Sequence, residues 1–352
     1  MDKNYLQFKG NNPFASQLKM LYHWSRVNDY LVKGDCWPIF MEIDLTDKCN
    51  LNCSWCISSN CRGTEQLKVD YLVDFLKEFK IYGGKAITWS GGGEPTLHPN
   101  FEEIVNKVKR LGLEMGLMTN GNYPINYNQV ISHCKWVRFS LDTMNVEHYK
   151  KWKGINALPK VLDNIAHLCE YDLKVGINCN VHEDLTIEEV DQLIYTFEYM
   201  VDYIQFRPIL PRYYEKEEIK LNNVVWQHLY DKYRNHSLIN FSSDKLEDLY
   251  KNNEFNYRSC EGHFFNPVLR ADGTLATCMY HPNDDKFTFG NIYKNTFSAI
   301  WLSQKRKEVI EYLRKEFNYR ENCQRCCKLN EINKFIDVLK TPPAKELDVN
   351  FL

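Results

Sequence analysis

The sequence predicts an α/β fold of parallel βα units, an open sheet or an incomplete barrel, followed by a smaller unit. Three observations predict it. Six strand-like runs alternate with helical patterns between residues 37 and 210. A glycine or polar residue follows each of those strands, and the alternation gives way to a hairpin pattern after Cys260. With 352 residues the chain is long enough for one large α/β unit and a small second domain.

Residues 13–33 place Phe14, Leu18, Leu21, Trp24, Val27, Tyr30 and Leu31 on an amphipathic, partly helical stretch, read as a helical cap spanning residues 1–36. WPIFMEIDLT (37–46) is the first strand. Tyr71, Leu72, Phe75, Leu76 and Phe79 recur at three and four and make 68–80 a helix. Strands follow at KAITWS (85–90), EMGLMTNG (114–121), WVRFSLD (136–142), KVGINCNV (174–181) and YIQFRPI (203–209), with helices at 101–112, 155–170 and 187–199. At or just after the strand ends stand Cys49, Gly91 to Gly93, Asn120, Asp142, Asn180 and Arg207, on the side where βα arrays carry their sites. Residues 211–255 are charged and tyrosine-rich, with a helix at 222–234, and read as a connecting segment. In 256–337, FNPVLRADGTLATCMY folds as a hairpin about Ala271-Asp272-Gly273, and a helix follows at 297–316. Residues 338–352 read as a tail.

The formal charge of −2, without a basic block, points away from a nucleic-acid surface. Thirteen cysteines include two tight groups, at 49–56 and 323–327, a pattern of metal ligation in a reducing compartment and not of a disulfide framework. The first residues lack a signal-peptide core and no apolar run is long enough to span a bilayer, so a cytoplasmic protein is expected.

Cys49, Cys53 and Cys56 form a C-x3-C-x2-C run in the loop after the first strand. Three thiolates without a fourth ligand nearby suit an iron–sulfur cluster with one open iron; a zinc knuckle completed by a distant Cys or His is the alternative. Gly91, Gly92 and Gly93 let backbone approach a ligand, or make a tight strand-to-helix turn. Glu94, before Pro95, contacts the ligand or caps the next helix. Ser140 and Asp142 share one face of the fourth strand. Asn120, Asn180 and Arg207 are further candidate contacts, and Asn120 beside Gly121 equally makes a turn. Glu42 and Asp44 face inward if Ile43 and Leu45 face helices, and are then internal struts or contacts to a polar substrate. Cys61 is a hydrogen-atom donor or a bystander.

The sequences CNLNCSWC (49–56) and SGGGEPTLHP (90–99) together resemble the motifs of the radical S-adenosylmethionine (SAM) enzymes, over residues 37–210. The resemblance implies a partial (β/α)6 TIM-like barrel. It implies a [4Fe–4S] cluster on Cys49, Cys53 and Cys56 with SAM at the open iron. Trp55 is the family's aromatic before the last cysteine. Gly92, Gly93 and Glu94 would meet the methionyl amino group, and Ser140 or Asp142 the ribose. The region from Cys260 resembles the shortened SPASM-like domain called twitch, with Cys260, a hairpin, Cys278, a helix, then Cys323 and Cys326. One auxiliary [4Fe–4S] cluster is implied; a structural zinc fits the same residues, and Cys327 competes with Cys326.

The implied reaction is reductive cleavage of SAM to a 5′-deoxyadenosyl radical, which abstracts a hydrogen atom, with an electron donor such as flavodoxin or ferredoxin. A small polar substrate resembling a sugar, aminocyclitol or aminoglycoside is placed first. Glu42, Asp44, Asp142, Asn178 and Arg207 would line its site, and a thiol such as Cys61 would complete an epimerisation. The alternatives are dehydrogenation of a secondary alcohol with the auxiliary cluster accepting the electron, modification of a short peptide, activation of a partner protein through a glycyl radical, and a zinc-containing binding protein without activity. The short segment before the first strand favours the small substrate over a peptide.

Overall fold

In the computed structural model, which describes residues 17–213, 220–241, 257–323 and 327–341, strict alternation along the strands decides how the sheet is covered. After α1 (Trp24–Lys33) come β1 (Phe40–Asp44), α2 (Val69–Ile81), β2 (Ala86–Ser90), α3 (Phe101–Leu111), β3 (Glu114–Thr119), α4 (Asn128–Ile131) and β4 (Trp136–Ser140). They continue with α5 (Val146–Lys153), α6 (Leu158–Leu168), β5 (Lys174–Val181), α7 (Ile187–Phe197), β6 (Tyr203–Pro208), α8 (Asn223–Tyr233) and β7 (Ile239–Phe241). β1 to β7 pair side by side and in parallel. In register, Ile43 lies opposite Trp89, Trp89 opposite Leu117 and Leu117 opposite Val137, all buried. This apolar face packs on Leu72, Phe75, Leu76 and Phe79 of α2, Ile104 and Val108 of α3, and Val161 and Ile165 of α6. The opposite face is polar: Glu42 and Asp44 stand beside Thr88 and Ser90, and Ser140, Asn178, Gln205 and Asn240 run across β4 to β7. Polar groups buried on this face require partners or a ligand, so it is the face on which a polar site can be built.

The smaller unit adds β8 (Val268–Leu269), β9 (Thr274–Ala276), β10 (Thr288–Asn291), α9 (Phe297–Trp301), α10 (Gln304–Lys315), α11 (Tyr319–Asn322) and α12 (Asn330–Lys340). β8 pairs with β1 in parallel, Glu42 opposite Val268, and β9 and β10 return antiparallel. The result is one mixed sheet in the order β10-β9-β8-β1-β2-β3-β4-β5-β6-β7, open at both ends. The fold is an α/β partial barrel with a C-terminal extension, as the alternation predicted.

Several elements differ from the sequence reading. The connecting segment contributes a seventh parallel strand, β7, three residues long and too short to show alternation. The helix α5 is capped by Asn145, whose side chain accepts the N–H groups of Glu147 and His148, but its eight residues are half basic or acidic and carry little periodicity. The helix read over 297–316 is broken where the Ser303 hydroxyl accepts the Arg306 N–H and starts α10 afresh. The N-terminal helix caps the smaller unit: Val27 and Tyr30 pack with Phe264, Phe265, Ile310 and Ile336. Arg306 clamps Asp35 through two bonds of 2.8 and 2.7 Å. No helix among the described residues is long and apolar enough to cross a membrane.

Candidate functional site

The loop leaving β1 carries Cys49, Cys53 and Cys56 and is held from both sides. The N–H groups of Asn52 and Ser54 donate to Lys153 and Trp152 at the end of α5, at 2.9 and 3.0 Å. On the other side lies the glycine turn after β2. Gly93 N–H donates to Thr46 O at 3.1 Å, Glu94 N–H to Lys48 O at 2.8 Å, and the Ser58 hydroxyl to Gly92 O at 2.9 Å. A Cβ on Gly93 would lie 2.6 Å from the Thr46 oxygen and the Asp47 carbonyl carbon, and Gly91 has φ +128°. The glycines are thus where two backbones touch. Burial pushes the Cys49 and Cys53 thiols up, and both interact with each other and with Cys56. Such thiols ionise more readily against a metal or a neighbouring cation, and Lys153 is one for Cys53. The Asn120 amide reaches Cys49 Sγ at 3.8 Å. Cys61 ends a turn on this loop, its N–H donating to Ser58 O at 3.0 Å.

The Glu94 carboxylate is buried and fully occupied. It accepts the Thr96 hydroxyl at 2.7 Å, the Thr119 hydroxyl at 2.8 Å and the Asn120 N–H at 2.7 Å, so it ties the glycine turn to the end of β3. Its side chain also caps the turn Pro95–Leu97. Asp142 is likewise engaged, with Asn180 N–H at 2.6 Å and in an ion pair with Lys153 whose side chains are 0% and 3% exposed. Burial opposes the charge of Lys153, but Asp142 outweighs it and holds the ammonium above its ordinary value. Lys153 lies 5.3 Å from the Trp55 ring and interacts with Cys53. Ser140 is half-buried beside this group, on the face shared with Asn178.

Glu42 is buried and forms an ion pair with Lys328. Burial pushes Asp44 up to about 6, against the pull of Arg270 and the Gly92 N–H. The Arg207 guanidinium stands 3.5 Å from Asn178 Oδ1 on the same polar face.

In the smaller unit Cys260, Cys278, Cys323 and Cys327 interact with one another, and burial pushes the first three thiols up. Nitrogen donors surround the sulfurs: Asn333 Nδ2 to Cys260 at 3.8 Å, Leu329 N–H to Cys327 at 3.4 Å, and the Tyr280 and His281 N–H groups toward Cys278. Such donors stabilise thiolates in a cluster site. Cys326, expected as a ligand, lies outside the described residues; Cys327 interacts with Cys260 and Cys323. Among the described residues no three Cys, His, Asp or Glu side chains stand at metal-coordination distances. The two thiol sets nonetheless fit iron–sulfur ligation by donor type, burial and surrounding N–H groups.

Sequence reasoning missed Lys153, Lys328 and Tyr213. Lys153 is one lysine among several in KKWKG, and only folding selects it. Tyr213 is buried, bonds through its N–H to Ile57 O at 3.0 Å, meets Tyr280 edge-on at 6.1 Å, and interacts with both Cys278 and Cys56. It therefore stands near one cysteine of each thiol set.

Comparison with known proteins agrees with this arrangement. A model described as the radical SAM superfamily matches residues 43–195, and one described as an iron-sulfur cluster-binding domain, SPASM, matches 260–327. A GTP 3′,8-cyclase of Clostridium perfringens (strain SM101 / Type A) is 29% identical over 163 residues, 44% of this chain and 50% of that protein. One from Lactiplantibacillus plantarum is 27% identical over 223 residues, 58% of this chain and 63% of that protein. The chain thus spans about half the length of the first of these relatives and less than two thirds of the second. Among solved structures, Streptococcus suis SuiB bound to precursor peptide SuiA shares 16% identity at a TM-score of 0.66, covering 94% of this chain and 79% of that one. Native anSMEcpe with bound AdoMet and Cp18Cys peptide shares 21% identity at a TM-score of 0.59, covering 84% and 88%. These likenesses establish a common fold.

Proposed function

We propose that this chain, which matches the radical SAM superfamily over residues 43–195 and the SPASM cluster-binding domain over 260–327, is an enzyme that generates a 5′-deoxyadenosyl radical and modifies a peptide substrate. In this reading Cys49, Cys53 and Cys56 hold the cluster that binds SAM, and Cys260, Cys278, Cys323 and Cys327 hold one auxiliary cluster. When bound, the first cluster supplies the electron that splits SAM, and the resulting radical takes a hydrogen atom from the substrate. The protein's own residues do the rest. The glycine turn and Glu94 fix the cysteine loop. Lys153, with Asp142, supplies a buried cation beside Cys53 for orienting a carboxylate. Glu42, Asp44, Asn178 and Arg207 offer hydrogen bonds to the substrate.

The observation that carries the proposal is the joint sheet. Because β8 is hydrogen-bonded onto β1, the smaller unit continues the barrel's own sheet, and because that sheet does not close among the described residues, its polar face has an open side for an extended chain to approach. The comparisons support a peptide over the small polar substrate that the sequence reading put first. The peptide-bound SuiB and anSMEcpe are alike in fold over 94% and 84% of this chain. The test is anaerobic incubation of the iron-loaded protein with SAM and dithionite, plus a synthetic peptide library, GTP or a set of aminosugars. A peptide that stimulates 5′-deoxyadenosine formation and changes mass supports the reading. Stimulation by GTP or an aminosugar alone overturns it.

A further inference from the structure

The stretch after Cys327 is held at two points. On one side Leu329 packs on Gly262, where an added Cβ would come 2.7 Å from the Leu329 Cβ. Asn333 strengthens that contact by accepting the N–H groups of Glu261 and Gly262 at 2.8 and 2.6 Å, while its amide reaches Cys260 Sγ at 3.8 Å. On the other side Lys328 extends away from the smaller unit and pairs with Glu42. The Glu42 side chain is 3% exposed and that of Lys328 is 35% exposed. Glu42 sits where the two units are joined: its N–H donates to Pro267 O at 3.2 Å and it lies opposite Val268 of β8 and Thr88 of β2.

A carboxylate buried to this degree is costly unless it is paired, and removing one member of a buried pair costs more than replacing both. β1 is held by ladders on both flanks and cannot move to relieve an unpaired Glu42. The residue next to a thiol, in an irregular stretch, can. We propose that Glu42 and Lys328 form a positioning pair for the C-terminal thiol site, holding Cys327 within its set by tying the next residue to the inner face of the barrel. The pair makes that site depend on the barrel and gives the buried Glu42 carboxylate its counter-charge. This inference rests on the reading of Cys260, Cys278, Cys323 and Cys327 as ligands of one auxiliary cluster.

The test uses the full chain with Cys49, Cys53 and Cys56 all changed to Ala, so that only C-terminal iron is counted, reconstituted anaerobically and challenged with a chelator. Glu42→Gln and Lys328→Met are each expected to release iron about tenfold faster, and the double variant less than the product of the two, the mark of a coupled pair. Far-UV circular dichroism at the parental intensity confirms that each variant is folded, and the charge-exchanged pair Glu42→Lys/Lys328→Glu is expected to recover slow release. Parental release rates in both single variants, or strictly multiplicative effects, overturn the positioning role. Failure of the three-alanine parent to bind iron overturns the auxiliary-cluster reading and this inference with it.

Discussion

Gly93→Ala tests whether the glycine turn is a backbone contact holding the cysteine loop. The new Cβ would lie 2.6 Å from the Thr46 oxygen and the Asp47 carbonyl carbon and closer still to the Lys48 oxygen. All three are backbone atoms, so no side chain can swing aside, and the two loops must separate. That separation costs about 1–3 kcal/mol of overpacking and about 0.5–1.5 kcal/mol for each backbone hydrogen bond lost. Two such bonds cross here, Gly93 N–H to Thr46 and Glu94 N–H to Lys48. The expected penalty is therefore about 2–6 kcal/mol, concentrated on the cysteine loop. Gly34→Ala is the control: its φ of +71° is also left-handed, but an added Cβ meets nothing within 4 Å. It should cost about 1 kcal/mol of backbone strain alone. The assay compares iron retained after anaerobic reconstitution with 5′-deoxyadenosine formed from SAM and dithionite. Gly93→Ala should lose iron from the N-terminal site and most SAM cleavage, and Gly34→Ala should keep both. A Gly93→Ala protein with parental iron and parental cleavage refutes the argument.

Asp142→Asn leaves the Lys153 ammonium, whose side chain is 3% exposed, without its counter-charge, and should destabilise the protein by about 3–5 kcal/mol in chemical denaturation. Arg306→Lys keeps the charge but loses the two-point clamp on Asp35 and the stacking 3.9 Å over Trp301; about 2–4 kcal/mol is expected in the same measurement. His263 is buried and held down to about 3, chiefly by burial, so the folded chain stays neutral there between pH 6.5 and 3 while the unfolded chain takes up a proton. Its contribution is complete above pH 6.5 and falls by about 1.4 kcal/mol for each pH unit well below that value. His263→Phe, which keeps the ring contacts to Phe264 and Phe289, should shrink the difference between thermal midpoints at pH 7.5 and 5.5. A residual slope from His281, lowered to about 4 by burial, should remain.

The alternating βα units and the hairpin after Cys260 were legible in the sequence because they rest on local signals. Period-two alternation sets which face of β1 to β6 is apolar, and a cysteine spacing needs no tertiary knowledge to be noticed. The glycine turn was legible as a close approach, but not what it approaches: the touching atoms belong to residues 46–48, over forty positions earlier. Pairings between distant parts of the chain were hidden for the same reason. The bonds from Thr119 and Asn120 to the Glu94 oxygens are among them. Lys153 and Lys328 are unremarkable lysines until they meet Asp142 and Glu42.

The sequence by itself determined the repeating βα pattern, the hairpin unit and the sulfur ligand types, since propensity and alternation act over a few neighbouring residues. Only the tertiary structure decided that the hairpin extends the barrel's own sheet beside β1, that the N-terminal helix packs on the smaller unit, and that Cys327 interacts with Cys260 and Cys323. Those outcomes depend on which buried charges and apolar faces find partners far along the chain, and that choice is made by packing the whole molecule at once.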